Sequence, residues 1–237
     1  MLKRTLALMS AAALFAVFFA GCGARERPLP IQSTLPQLAG PQNGDAIAVI
    51  DTEMGIIRAV LFPQYAPLAV ENFTKLSKNG AYDNLLFHRV VKDFIIQSGD
   101  PTGTGTGGES IWGEPFDCEY SDALHNYSGA LAMANSGDDI NGSQFYIVCT
   151  PPDSVGEPLA RKMLDSGFAA DVVAAYREVG GAPYLDCKYT VFGQVYSGME
   201  VVDAISLVRT ENEVPKKEIA LHSISIEIYD SAATSAP

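Results

Sequence analysis

The chain is short of positive charge. Its 237 residues carry 16 Lys and Arg against 28 Asp and Glu, a formal net charge of -12 with a pI near 4.6. That balance argues against nucleic acid, or an anionic membrane, as a partner held through bulk electrostatics. Histidine is scarce too. His88, His125 and His222 stand far apart and show no ligand spacing, and the cysteines Cys22, Cys118, Cys149 and Cys187 fit no zinc pattern, so no metal is expected. The pair Asp138-Asp139 reads as a solvated turn. A phosphate loop is missing as well. Thr102 to Gly108 contains a formal G-x-G-x-x-G at Gly103, Gly105 and Gly108, but no Gly-Lys-Ser/Thr follows. Glu109 to Pro115 is a poor helix start, whereas a dinucleotide site needs the motif between a strand and a helix. The run is expected to be a surface loop that uses glycine for positive φ. No internal repeat is present.

What the chain does have is 47% apolar and 19% charged residues, enough for a packed core. It opens as an export signal: basic Lys3-Arg4, apolar Leu6 to Ala20, then Phe19-Ala20-Gly21-Cys22 with small residues before a cysteine. The Ala-Gly-Cys ending resembles the lipobox of bacterial lipoproteins, with Phe19 where Leu is commoner. It implies lipidation at Cys22 and attachment to the outer side of the cell membrane by a lipid anchor. An ordinary signal peptide with a chance cysteine is the alternative; the short apolar run disfavours an uncleaved anchor helix. Residues 1–21 are thus expected to be a signal peptide and 22–44, broken by Pro28, Pro30, Pro36 and Pro41, a flexible tether. The folded domain is expected over 45–230 and a tail over 231–237. Of the three later cysteines, idle thiols are the simpler reading, with a Cys118–Cys187 bridge left open.

Within the domain, Ala46 to Phe62 reads as two strands about a turn at Glu53-Met54-Gly55. Pro67 opens a helix through Ser77 with Leu68, Val70, Phe73 and Leu76 apolar. Strands follow around Phe87 to Gly99, Ser128 to Asn135 and Ser143 to Thr150. A helical insertion occupies about 153–182, broken at Gly167 and closed by Gly180-Gly181. Tyr189 to Val195 is a strand, Met199 to about Leu207 a helix, and Ile219 to Tyr229 the last strand. Many short strands with few long helical patterns suggest a mainly β chain, a closed antiparallel barrel with helices over its ends.

The stretch Phe87 to Asp100 carries the sharpest chemical signal. It sets Arg89, a permanent cation, among Phe87, Val90, Phe94, Ile95 and Ile96. A guanidinium in such company is paired or used. In an extended chain Ile95 and Gln97 share a face. Three further segments set uncharged polar groups among apolar ones: Met133 to Ser136, Asn141 to Tyr146 and Tyr184 to Gly193.

Together these motifs resemble the cyclophilin family of peptidyl-prolyl cis-trans isomerases. Phe87-His88-Arg89-Val90, Gln97-Ser98-Gly99-Asp100, Gly105 to Ser110, Met133-Ala134-Asn135, Asn141-Gly142-Ser143-Gln144-Phe145 and Val191-Phe192-Gly193 recur in the family's order over about Asp45 to Tyr229. The resemblance implies an eight-stranded closed barrel with two capping helices. It implies Arg89 as the catalytic residue and Phe94, Ile95, Tyr146 and Leu185 as a proline pocket. Gln97, Ala134, Asn135 and Gln144 stand at peptide-contact positions, and Gly105 and Ser136 at the rim. Tyr184 takes a place often held by Trp, and Tyr189 one often held by His. No cofactor is implied. The implied partners are proline-containing segments of exported proteins. The rival reading keeps the groove as a peptide-binding chaperone module with little catalysis, and a further rival is an envelope lipoprotein that merely keeps the fold.

Overall fold

The computed structural model describes residues 35–135 and 139–234. The expected signal peptide, Cys22, Ser136 and the last three residues of the tail lie outside them.

The first hairpin forms where the alternation places it. Strands β1 (Ala46–Thr52) and β2 (Gly55–Leu61) pair antiparallel, and Thr52 closes the turn: its Oγ1 donates to the Gly55 carbonyl at 2.7 Å and accepts from Met54 N at 3.1 Å. Helix α1 (Pro67–Lys78) begins with Pro67, whose missing N–H is no loss in a first turn. The Glu119 carboxylate accepts from the amides of Leu68 and Ala69 at 3.1 and 2.9 Å, setting an anion at the positive end of the helix. The buried face of α1 includes Ala69, Val70, Phe73 and Leu76. Phe73 lies at the centre of the core, its ring 5.0–5.3 Å from those of Tyr82, Phe145 and Phe192.

The remaining elements follow in order: β3 (Leu85–Leu86), β4 (Arg89–Val91), β5 (Ile95–Ser98), β6 (Phe116–Asp117), β7 (Ala130–Met133), β8 (Ile140–Asn141) and β9 (Phe145–Val148). Then come α2 (Glu157–Asp165), α3 (Ala170–Val179), β10 (Val191–Ser197), α4 (Met199–Ser206), β11 (Thr210–Glu211), β12 (Val214–Pro215), β13 (Ala220–Ile228) and the single turn α5 (Ser231–Thr234). Nine strands form one antiparallel sheet in the order β3-β13-β1-β2-β10-β7-β9-β5-β4.

This corrects the expected closed eight-stranded barrel. The sheet is curled and open, a half-barrel with β3 and β4 as its edges. Those edges are separated only by Phe87 and His88. The segment that reads as one strand switches partners there: β3 pairs with β13, and β4 pairs with β5. Inside the curl, α1 and α4 pack on Ile50, Ile57, Leu61, Phe145, Phe192 and Ile224, so the two expected capping helices are present.

The insertion folds as two helices, α2 and α3, around its own cluster of Met163, Val172, Val173 and Tyr176 with Tyr127. Gly181 closes it against the sheet at φ +131°. A Cβ there would stand 2.4 Å from the Asn126 carbonyl oxygen, so only glycine permits the approach.

Packing begins before Asp45, where the domain was expected to start. Pro36–Leu38 forms a 3-10 turn, and Gln37 is buried. Its Oε1 accepts from His125 N at 2.7 Å, while its Nε2 donates to His125 O at 2.7 Å and to Gln194 Oε1 at 2.9 Å. The last residues of the expected tether are therefore part of the domain. Cys118 and Cys187 are free thiols, so no Cys118–Cys187 bridge is formed. Among the described residues no helix is long and apolar enough to cross a membrane.

Candidate active site

The site lies on the outer face of the curled sheet. Alternation sends Ile96, Phe145, Ile147, Leu131 and Met133 into the inner core and their neighbours outward. The register then aligns Arg89 with Gln97, Gln97 with Tyr146, and Tyr146 with Ala132. One row across β4, β5, β9 and β7 thus places a cation, an amide, a phenol ring and a small residue side by side. Ile95 and Val148 form the next row on the same face.

Over this surface opens a cleft of about 410 Å³. It gathers Arg89, Phe94, Ile95, Gln97, Gly105, Ala134, Asn135, Tyr146, Leu185 and Tyr189, ten of the expected site residues. Tyr146 and Tyr189 meet edge to face with centroids 5.6 Å apart, which gives the cleft an aromatic wall. A second cleft of about 430 Å³ adjoins it, sharing Gln97, Gly105, Ala134 and Asn135 and adding Gln144. Between the two runs an amide relay. Arg89 Nη1 donates to Gln97 Oε1 at 3.3 Å, Gln97 Nε2 to Gln144 Oε1 at 2.9 Å, and Gln144 Nε2 to the Gly107 carbonyl at 2.8 Å. The relay gives each amide one orientation, because it starts at a group that only donates and ends at one that only accepts.

Tyr184 departs from expectation. It lines neither cleft and is 57% exposed, with its ring 6.0 Å from that of Phe94 on the outside of the pocket. The Asn135 side chain is engaged with loops, donating to Lys188 O at 3.3 Å and Cys118 Sγ at 3.4 Å. Ser136 lies outside the described residues.

Five cleft residues were not foreseen: His88, Thr104, Asn212, Glu213 and Val214. The last three belong to the β11–β12 hairpin, and Glu213 Oε2 accepts from Arg89 Nε at 2.7 Å. A strand–Asn–strand pattern at Thr210 to Pro215 was the available signal, and it was weak because each strand is only two residues long. His88 lies at the break between β3 and β4. It is buried, and among the described residues neither ring nitrogen has a hydrogen-bond partner by geometry. Burial depresses its pKa, Asp100 opposes that, and Arg89 adds to it.

The glycine-rich run has an anion, but the anion is its own. Asp100 accepts from Thr102 N, Thr102 Oγ1, Thr104 N, Gly105 N and Gly107 N at 2.6–3.2 Å. Burial works against the charge, but the bonds from Thr102, Gly107 and Gly105 outweigh it and hold the carboxyl down at about 2. The inward-turned amides are used up by this carboxylate, so the loop offers them to no phosphate. It serves instead to set Gly105 at the cleft edge.

The outer sheet face thus combines an apolar notch, a relay of amides and one arginine. Comparison with known proteins makes the class specific. The family model "Cyclophilin type peptidyl-prolyl cis-trans isomerase/CLD" matches residues 47–226. A Staphylococcus saprophyticus protein named "Putative peptidyl-prolyl cis-trans isomerase" is 45% identical over 193 residues, 81% of this chain and 95% of that one. A "Putative bifunctional phosphatase/peptidyl-prolyl cis-trans isomerase" of Streptococcus pyogenes is 44% identical over 199 residues, 82% of this chain; the chain spans only 41% of that longer relative. Among solved structures, a Cryptosporidium parvum cyclophilin-type isomerase crystallised in the presence of the dipeptide Ala-Pro is similar. It shows a TM-score of 0.62 and 32% identity, covering 78% of this chain and 99% of that one. The chain belongs to the cyclophilin-type peptidyl-prolyl cis-trans isomerases.

Proposed function

We propose that Arg89 is the catalytic donor of this isomerase and that the notch of Phe94, Ile95, Tyr146, Leu185 and Tyr189 takes the proline ring. The observation that carries this reading is the single row Arg89–Gln97–Tyr146, which sets the one Lys or Arg that lines the cleft among the described residues beside its aromatic floor. The X–Pro amide resists rotation by about 18–20 kcal/mol because resonance holds it planar. Halfway through rotation the nitrogen becomes pyramidal and gains a lone pair. A donor aimed at that lone pair stabilises the twisted state more than the planar one, where the nitrogen accepts poorly. A 10⁴-fold gain needs about 5.5 kcal/mol, within the reach of one charge-assisted donor and a fixed ring. Gln97, Gln144, Gly105 and Ala134 would hold the flanking chain. Asn135, its side chain already engaged, would contribute through its main chain.

The substrates we propose are prolyl bonds of exported proteins, met at the outer face of the cytoplasmic membrane. The export signal and the Ala20-Gly21-Cys22 ending support this placement. Membrane attachment would then come from lipid at Cys22. The test is prolyl isomerisation by the wild type and by Arg89→Ala, with proline-peptide affinity measured beside it. Loss of turnover with affinity kept supports the donor reading. Binding with no turnover in the wild type itself would leave a peptide-binding module.

A further inference from the structure

We infer that Glu213 is the positioning residue for the Arg89 guanidinium, a role that rests on the reading of Arg89 as donor. Glu213 is joined to β4 twice. Its backbone oxygen accepts from Val90 N at 2.7 Å, and its carboxylate accepts from Arg89 Nε at 2.7 Å. With Gln97 on Nη1, two corners of the planar fork are held. Two such anchors fix the plane of the guanidinium. Among the described residues the Nη2 edge has no partner, and this is the edge left to face a substrate.

Folding stability does not account for a glutamate at this position. Asn212 and Glu213 form the two-residue turn of the β11–β12 hairpin with φ of +51° and +66°. Consecutive positive φ values are the geometry of the tight primed turn, whose second position favours glycine. A side chain in the left-handed region is disfavoured, and glycine adopts it freely. The ion pair offers little in return, since its side chains are 39% and 50% exposed and such pairs contribute little to folding. Glu213 therefore occupies a place where stability alone would select glycine. What its carboxylate does there is hold one group, the cation of the cleft. Strain kept at a binding cleft points to a role in that cleft.

The test uses the full chain as wild type, Glu213→Gly, Glu213→Gln and Arg89→Ala. Turnover of a saturating prolyl peptide, peptide affinity and thermal midpoint are measured for each. Glu213→Gly should melt at or above the wild type and bind peptide equally. Its turnover should fall roughly tenfold to a hundredfold, the cost of a misplaced group. Glu213→Gln keeps an acceptor oxygen without the charge and should recover most of that loss. The NMR signal of the Arg89 Nε–H should exchange slowly with water in the wild type and rapidly in Glu213→Gly. Wild-type turnover in Glu213→Gly, or an unchanged Nε–H signal, would overturn the inference provided Arg89→Ala is slow. If Arg89→Ala is itself as fast as the wild type, the donor reading has failed instead. Should Glu213→Gly not fold, Glu213→Ala, which also removes the carboxylate, takes its place, and wild-type turnover there with Arg89→Ala slow would overturn the inference.

Discussion

The hydroxyl of Tyr146 donates to the carboxamide oxygen of Asn126 at 2.8 Å. Through this bond the floor of the cleft is tied, by way of Asn126 and Asp186, to the helical insertion. Asn126 donates in turn to Asp186 Oδ1 from its backbone, at 2.8 Å, and from Nδ2, at 3.0 Å. Asp186 also accepts from the Tyr176 hydroxyl of α3 at 2.8 Å and pairs with His125 Nδ1 at 2.8 Å. Asp186 directly follows Leu185, which lines the notch. Burial raises the Tyr146 pKa well above its ordinary value, so the phenol remains a donor.

Asp186→Ala should be the costly change in this network. It strips several buried donors of their shared acceptor, at a cost of about 1–3 kcal/mol for each left unsatisfied. Thermal denaturation should show a large fall, and peptide affinity should fall with it as Leu185 loses its anchor. Tyr146→Phe keeps the ring and removes the link, and should cost about 1 kcal/mol with affinity largely kept. A Tyr146→Phe variant with the same affinity loss as Asp186→Ala would show that the phenol acts on the substrate directly.

Asp100 sets an acid limit. Its carboxyl is held at about 2 against an ordinary 3.8, so the charged form is favoured in the folded state. Its contribution to stability is complete above the unfolded value of 3.8 and is lost as pH falls towards 2. Denaturation followed from pH 5 to pH 2 (roughly the span in which a depressed carboxylate titrates) should show a loss in the wild type that is smaller in Asp100→Asn. The variant should also be less stable at neutral pH, because five N–H and O–H donors lose their charged acceptor.

Tyr184 and Leu185 should separate. Tyr184→Ala alters a ring that is more than half exposed and should change stability by no more than about 0.5 kcal/mol. Peptide affinity should fall less than in Leu185→Ala, which opens the notch itself. Titration calorimetry with one prolyl peptide compares the two, and equal losses would mean that Tyr184 closes over bound peptide.

Membrane attachment has a direct check. Cys22→Ala should move the protein from the membrane fraction to the soluble fraction of cells. Retention in the membrane fraction would count against lipid at that residue.

Much of the site was legible because its signals are local. Ile95 and Gln97 share a face by the two-residue period of a strand, and the spacing is the same whatever the partner strands do. The turn residues Glu53-Met54-Gly55 and the helix opened by Pro67 were legible for the same reason. The parts that were not legible depend on distant partners. Gln37 sits in a proline-rich segment that reads as a tether, yet its hydrogen bonds reach residues 88 and 157 positions away. Phe87-His88 looks like the middle of one strand, and only the β13 and β5 ladders show that the chain changes partner there. Glu213 is an exposed acid in a short turn by sequence; its role appears when the hairpin docks on β4. Tyr184 was placed in the pocket by resemblance, but its turn of 3-10 helix (Pro183–Leu185) directs Leu185 inward and leaves Tyr184 outside.

The most direct test of the account is the isomerisation rate of Arg89→Ala against the wild type, on one prolyl peptide at saturation and with its affinity measured in parallel. A charge-assisted donor absent from the twisted state costs several kcal/mol, so the rate should fall by about 10²–10³ with affinity changed little. A rate within a factor of two of the wild type (about 0.4 kcal/mol) would contradict the account, because the row Arg89–Gln97–Tyr146 would then bind peptide without acting on its prolyl bond.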